Sequence, residues 1–392
     1  MNRRSFIKVM GTGAVIVAAS PLVITQLSDE KPVILRPLHD YQDIRKTLIS
    51  YAMLCPNPHN KQPWKVSLSK SNVIRIFVDE ERLLPETDPY HRQIHIGIGC
   101  FVDSLIIAAK HFSMRPQINY FPQGEYDNLS LEPLPVVDIT LDVVKATVGE
   151  DLHGETLPNE TLFRELSRRQ TTKIPYSPTM LPDSVLANLS HLVTDQQHYI
   201  KFISDHKDKT KMASYLVDAI TIEESNKYRS LETINMFRFT NEEFAKYRDG
   251  FGLEQNGVSG IKKWIAETMF ISREKAERDP TSFGQQGINK VKEVVADNPH
   301  YALLVTKENS RQTQIKIGEI YNRINLTCSH LGVAMHPMSQ ILEEYDDMRS
   351  LQTTFKQHFQ IETNDTVQML FRLGKAPATA MTPRREVKSI LV

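Results

Sequence analysis

Residues 94–112 carry apolar side chains at helical spacing, with Gly97 and Gly99 near the start, and predict a buried helix. A helix of that kind must be surrounded by other elements of the same chain, which rules out an open or extended architecture. A second long helix is predicted over residues 313–331, the strongest helical signal present, with its apolar residues on one side and Gly332 as the stop. Short strands are predicted at 73–78, 116–120, 136–141, about 199–204, 301–306 and 367–373, and further helices at 40–52 and 162–169. Short strands alternating with helices indicate a mixed fold, here read as α+β.

A polar stretch at 149–160 containing Pro158 reads as a linker between a first half, 36–150, and a second half, 160–392. Inside the second half lies a long polar, helix-rich insertion at about 207–283, broken at Gly250-Phe251-Gly252 and again from Gly257 to Gly260. An insertion of that length in a compact fold points to a functional lid.

The first thirty residues stand apart. Arg3-Arg4-Ser5-Phe6-Ile7-Lys8 precedes an apolar run over 9–27 with small residues at Ala18-Ala19-Ser20. That anatomy resembles a twin-arginine export signal, which implies passage through the twin-arginine translocase and a periplasmic or cell-envelope location. The run is also long enough for an uncleaved membrane anchor. Composition is ordinary for a globular protein, at 40% apolar and 24% charged, and the formal charge is zero. No basic excess marks a nucleic-acid surface. Cys55, Cys100 and Cys328 form no Cys-x-x-Cys and read as buried free thiols.

Four local segments carry chemistry. Pro56-Asn57-Pro58-His59-Asn60-Lys61-Gln62-Pro63-Trp64 is a proline-stiffened loop in which Asn60 and Gln62 present amide donors and acceptors suited to a planar heterocycle. Read alone, it is equally a surface turn anchored by tryptophan. Ser167-Arg168-Arg169-Gln170-Thr171-Thr172-Lys173 is basic and suits a phosphate, or else is a solvated helix end. The third and fourth are Gly332-Val333-Ala334-Met335-His336-Pro337-Met338-Ser339-Gln340 and the tail Gly374-Lys375-Ala376-Pro377 with Pro383-Arg384-Arg385.

Together these segments resemble the elements of nitroreductase-fold flavoproteins: the P-S-x-x-N-x-Q-P-W loop, the R-R-S-x-R element, the glycine-containing turn and the closing basic tail. Asn57 and Gln170 stand where that family has hydroxyl residues. The loop precedes the basic element by about a hundred residues, an order similar to the long Acg-like branch, in which two fused halves mimic the usual homodimer. Arg92-Gln93 and Tyr247-Arg248-Asp249-Gly250 also look like that branch. The resemblance implies bound FMN, held by Asn60, Gln62, Arg168, Arg169, Lys173, Met338, Ser339, Arg384 and Arg385. It implies reduction of a nitroaromatic, quinone-like or other electron-poor small molecule, with no catalytic side chain, in a monomer that is itself a pseudo-dimer. An FMN-sequestering protein with a closed lid is the alternative. His91 and His95 have the spacing of a helical metal pair but lack a third ligand, and no metal is expected.

Overall fold

The computed structural model describes residues 36, 38–143, 157–267 and 271–392. The export segment therefore lies outside the described residues, as does most of the expected linker.

The first half opens on α1 (Ile44–Ala52), capped by Asp43, whose side chain accepts from Arg45 N. Strands β1 (Trp64–Ser67), β2 (Val73–Val78), β3 (Met114–Tyr120) and β4 (Val137–Val143) follow, with α2 (Arg92–His111) between β2 and β3. They form an antiparallel sheet in the order β1-β2-β4-β3. On β2, Ile74, Ile76 and Val78 point inward in strict alternation. After α3 (Asn159–Leu166) and α4 (Asp183–Ser190), the second half builds its own sheet. Its strands are β5 (His198–Ile203), β8 (His300–Thr306), β9 (Ala334–Pro337) and β10 (Thr366–Gly374), with α11 (Arg311–His330) between β8 and β9. The order is β5-β8-β10-β9, again wholly antiparallel. Strand for strand, this is the topology of the first sheet. The expected α+β class with two halves in one chain is the architecture found.

The two long helices cross at glycine. A Cβ on Gly99 would lie 1.9 Å from Ile315 O and 2.8 Å from Gly318 Cα; a Cβ on Gly318 would lie 2.0 Å from Ile96 O and 2.8 Å from Gly99 Cα. The contact is reciprocal, each glycine meeting the other and the carbonyl three residues before it, as at an isologous dimer interface. The helices match elsewhere in the same register. Arg92 at the start of α2 donates to Leu342 O and Gln368 O of the second half. Arg311 at the start of α11 donates to Tyr90 O, Asp127 O and Ser130 O of the first. One turn beyond the glycines on both helices, Asn322 Nδ2 donates to Asp103 Oδ2 at 2.9 Å. α2 is long and apolar enough to cross a membrane, but here it is buried, and one continuous core joins Ile94, Ile98 and Phe101 to Ile317, Ile324 and Leu326.

The chain end returns to the first half, where Val66 N donates to Ile390 O and Val392 N to Val66 O. The insertion between β5 and β8 comprises α5 (His206–Ser225), α6 (Lys227–Met236), β6 (Phe237–Arg238), α7 (Asn241–Tyr247), β7 (Phe251–Gly252), α8 (Gly260–Ile265), α9 (Arg273–Arg278) and α10 (Pro280–Val295). It has a small core of its own around Ile234, Phe237, Phe239 and Ala276.

Candidate functional site

The loop joining α1 to β1 is held in a costly conformation. His59, Asn60 and Gln62 have φ of 50°, 53° and 54°, in the left-handed region that non-glycine residues avoid. Asn57 stabilises the turn by accepting from Gln62 N at 2.7 Å, which gives the asparagine a structural task at the family's serine position. Trp64 is fully buried against Phe101, ring centroids 5.0 Å apart. Asn60 Nδ2 donates to Gly250 O and Pro383 O, while its Oδ1 is buried without a partner. Gln62 Nε2 donates to Arg248 O, and its Oε1 accepts from Arg385 N. The amide pair therefore clamps the insertion and the tail onto the loop.

Neighbouring arginines of the basic element part company. Arg168 has a side chain 68% exposed and faces Glu165 at 3.5 Å. Arg169 is buried, with Nε donating to Asn325 Oδ1 and Nη1 to Leu54 O, both at 2.8 Å. The tail divides in the same way. Arg385 pairs with Asp79 at 3.5 Å. Arg384 is buried and donates to Met53 O, Leu54 O and Cys55 O at the C-terminal end of α1, where the helix dipole is negative.

A third arginine joins these two. Burial and then Arg169 push the Arg36 guanidinium down to about 10, and its Nε and Nη1 are buried with no partner. Arg384 is pushed well below the usual arginine range by burial, then by Arg36 and Arg169. Among the described residues no carboxylate neutralises any of the three. Buried charge of one sign is expensive unless it meets an opposite charge. Two guanidiniums anchored on carbonyl oxygens, with a third beside them, make a ready receptor for a multiply charged anion. Arg36 escaped the sequence reading because a lone arginine before Pro37 carries no motif.

Lys173 is placed elsewhere. Its Nζ lies 3.9 Å over the Phe251 ring, and burial lowers its ammonium to about 8. His59 stands with its ring 5.7 Å from Phe251, and its imidazole is held down to about 3 by burial, then by Lys173 and Lys61. His336 Nδ1 accepts from Arg372, so the ring is neutral. Burial, then Arg372, Lys173 and Lys290, hold it far below the usual histidine range. Met338 packs in the second core beside Leu370, and Ser339 precedes a short 3-10 turn. The structure thus gathers Asn60, Gln62, Arg169, Arg384 and Arg385 around one loop and leaves Arg168 and Met338 away from it. His95 commits both ring nitrogens, to His91 O and Tyr126 Oη. No group of three potential metal ligands occurs among the described residues.

No model of a known protein family matches the chain. It is similar to the "Putative NAD(P)H nitroreductase acg" of Mycobacterium tuberculosis, 23% identical over 89% of this chain and 95% of that protein. A second "Putative NAD(P)H nitroreductase" of the same organism is 22% identical over 88% of this chain and 90% of its own. Among solved structures, the FMN-dependent nitroreductase NfnB from Mycobacterium smegmatis in complex with NADPH aligns with 59% of this chain and 96% of its own, at 16% identity and a TM-score of 0.36. A nitroreductase with bound FMN from Desulfitobacterium hafniense covers 59% and 97%, at 11% identity and a TM-score of 0.34. Similarity to nitroreductase-like proteins of the acg kind thus runs over nearly the whole chain.

Proposed function

We propose that the chain is an FMN-dependent oxidoreductase that reduces an electron-poor small molecule. The observation that carries this reading is the pair of buried arginines, Arg169 and Arg384, joined by the half-buried Arg36 with two buried, unpartnered nitrogens, and no carboxylate among the described residues to neutralise them. That donor set fits the dianionic phosphate of FMN. Arg36, Arg169 and Arg384 would hold the phosphate, and Asn60 Oδ1 offers a free acceptor to a ring N–H. Bound FMN would supply the electron or hydride chemistry, while the protein orients it and excludes water. The hydrogen bonds from Asn60 and Gln62 to residues 248–250 favour a lid closed over that space, which also supports a second reading as an FMN-sequestering protein.

Export by the twin-arginine route belongs to the same proposal, since that route carries folded proteins and FMN between two halves is installed only after folding. Nicotinamide cofactors are scarce outside the cytoplasm, so a membrane-linked donor is the reading preferred over NAD(P)H.

Arg36→Gln provides the test, because among the described residues no group is bonded to Nε or Nη1 of Arg36. Flavin affinity should fall about 10- to 100-fold, for loss of one charge-assisted contact. The flavin-free protein should be no less stable than wild type, since an uncompensated, half-buried charge has been removed. Unchanged flavin retention on dialysis refutes the phosphate assignment, and wild-type protein purified without flavin refutes the cofactor. Stopped-flow mixing with NADH, NADPH and a reduced quinone separates the two readings: flavin bleached by any of them defeats sequestration.

A further inference from the structure

The insertion is fastened to both halves at one junction, on the loop that leads into α2. Glu232 of α6 accepts from Thr87 N, Thr87 Oγ1 and Glu86 N at 2.9, 2.5 and 3.1 Å. The same Thr87 offers its carbonyl to Tyr345 Oη of the second half at 3.3 Å. Arg229, three residues before Glu232 on α6, lies 3.6 Å over the Tyr345 ring and pairs with Asp347 at 2.9 Å. First half, insertion and second half thus meet through Thr87, Glu232, Arg229 and Tyr345.

Most of the charge around these contacts is negative. Glu223, buried near the end of α5, faces Glu224 and Glu232 of its own insertion, with Arg229 as counter-charge. That guanidinium is already committed to Asp347. Glu343, buried in the second half, faces Asp88 of the first half, Glu223 of the insertion and its neighbour Glu344, with Arg92 as counter-charge. It accepts from Gln93 Nε2 across the seam. Tyr345 stands in the fields of Glu223, Glu343 and Glu232, and Lys61 acts on Glu232. Burial, then Glu224, raises the Glu223 carboxyl to about 8, and burial, then Asp88, holds that of Glu343 well above the usual range. Neutral, these two groups pack at the junction; ionised, they are buried like charges on opposite sides of a seam.

We propose that this junction is a proton-dependent latch, which holds α6 against both halves while Glu223 and Glu343 are neutral and releases it as they ionise. Its service to a cofactor or substrate rests on the flavin reading above. Residues 248–250, at the far end of the insertion, stay clamped by Asn60 and Gln62. With α6 lifted, the carboxyls return to water and to an ordinary value near 4.5. The closed form therefore holds protons that the open form releases. Closure is firmest at low pH and weakens about 10-fold per pH unit for each proton; the Glu223 share of this loss runs from about pH 5 to 8 and then levels off.

The test is hydrogen exchange of the full chain, as purified, read by mass spectrometry on peptides from α6 at pH 6 and pH 8 and corrected for the intrinsic pH dependence of exchange. Protection of α6 should be about 10-fold or more lower at pH 8 and insensitive to dilute urea, which marks a local opening. Glu223→Gln and, separately, Glu343→Gln should each remove part of that difference. Tyr345→Phe, which loses the bond to Thr87 O but no carboxyl, should lower protection at both pH values alike. Protection that does not change with pH in wild type overturns the proposal, as does the full wild-type difference in both glutamine variants. Exchange of α6 that matches α2 in protection and in urea dependence would mean opening by global unfolding alone, and overturns it equally. Absence of flavin from wild type refutes the cofactor reading alone, because exchange is read on the protein with or without it.

Discussion

Placing a methyl group on Gly99 tests the helix crossing that joins the two halves. The added Cβ would sit 1.9 Å from Ile315 O, against about 3.5 Å for ordinary contact, so α11 must retreat by roughly 1.5 Å. The obstructing atoms are backbone on both sides, and no rotamer change relieves them. Overpacking of this kind costs about 3 kcal/mol, and the better helix propensity of alanine returns about 1, leaving a net loss of about 2 kcal/mol. The measurement is the urea midpoint of Gly99→Ala followed by circular dichroism, with Gly97→Ala as control. A Cβ on Gly97 comes no nearer than 3.2 Å, to Pro58 Cδ, with Asn57 Cβ at 3.5 Å and Asn57 Cα at 3.7 Å, and should be tolerated far better. Because one separation of the helices accommodates both methyl groups, Gly99→Ala with Gly318→Ala should cost less than the sum of the single changes, by about 0.5 kcal/mol or more. A Gly99→Ala protein as stable as Gly97→Ala, or strict additivity in the double variant, would refute the close crossing.

Two further outcomes follow from buried titratable groups. Burial, then the neighbouring Glu224 charge, raises the Glu223 carboxyl to about 8, so the folded state holds a proton that the unfolded state releases near the ordinary glutamate value. Stability from this group should be full at low pH and fall between about pH 5 and 8. Glu223→Gln should flatten that slope in urea midpoints and exceed wild type at pH 8, and parallel profiles would contradict it. Burial pushes Cys55 and Cys328 up to about 12 and Cys100 well above the usual thiol range. Iodoacetamide should therefore modify none of the three in native protein at pH 8 and all of them in denaturant, as counted by mass spectrometry.

Much of the secondary structure was legible. The helix expected at 94–112 is Arg92–His111, and the strand expected at 73–78 has those bounds. Other elements were not, among them β6 and β7 within the insertion, of two residues each. β1 and β9 are four-residue strands at the sheet edges, too short for alternation to register. The polar helix α12 (Arg349–His358) buries only Phe355, which leaves no apolar stripe to read.

Sequence by itself determined two long helices with a glycine at the same position in each, strands in the same succession around them, and an amide-bearing loop stiffened by proline. It also determined that arginines would occur in adjacent pairs, without deciding which member of each pair faces inward. Successive side chains near a helix end point about 100° apart, so burial of Arg169 sends Arg168 toward solvent. Only the tertiary structure brought Arg169 and Arg384 onto the carbonyl end of α1 and set Arg36 beside them, from three distant segments. Lys173, four residues from Arg169, was carried by the turning chain to a different neighbourhood under Phe251 and His59. Those placements depend on long-range packing of the two halves and the insertion, which no local pattern encodes.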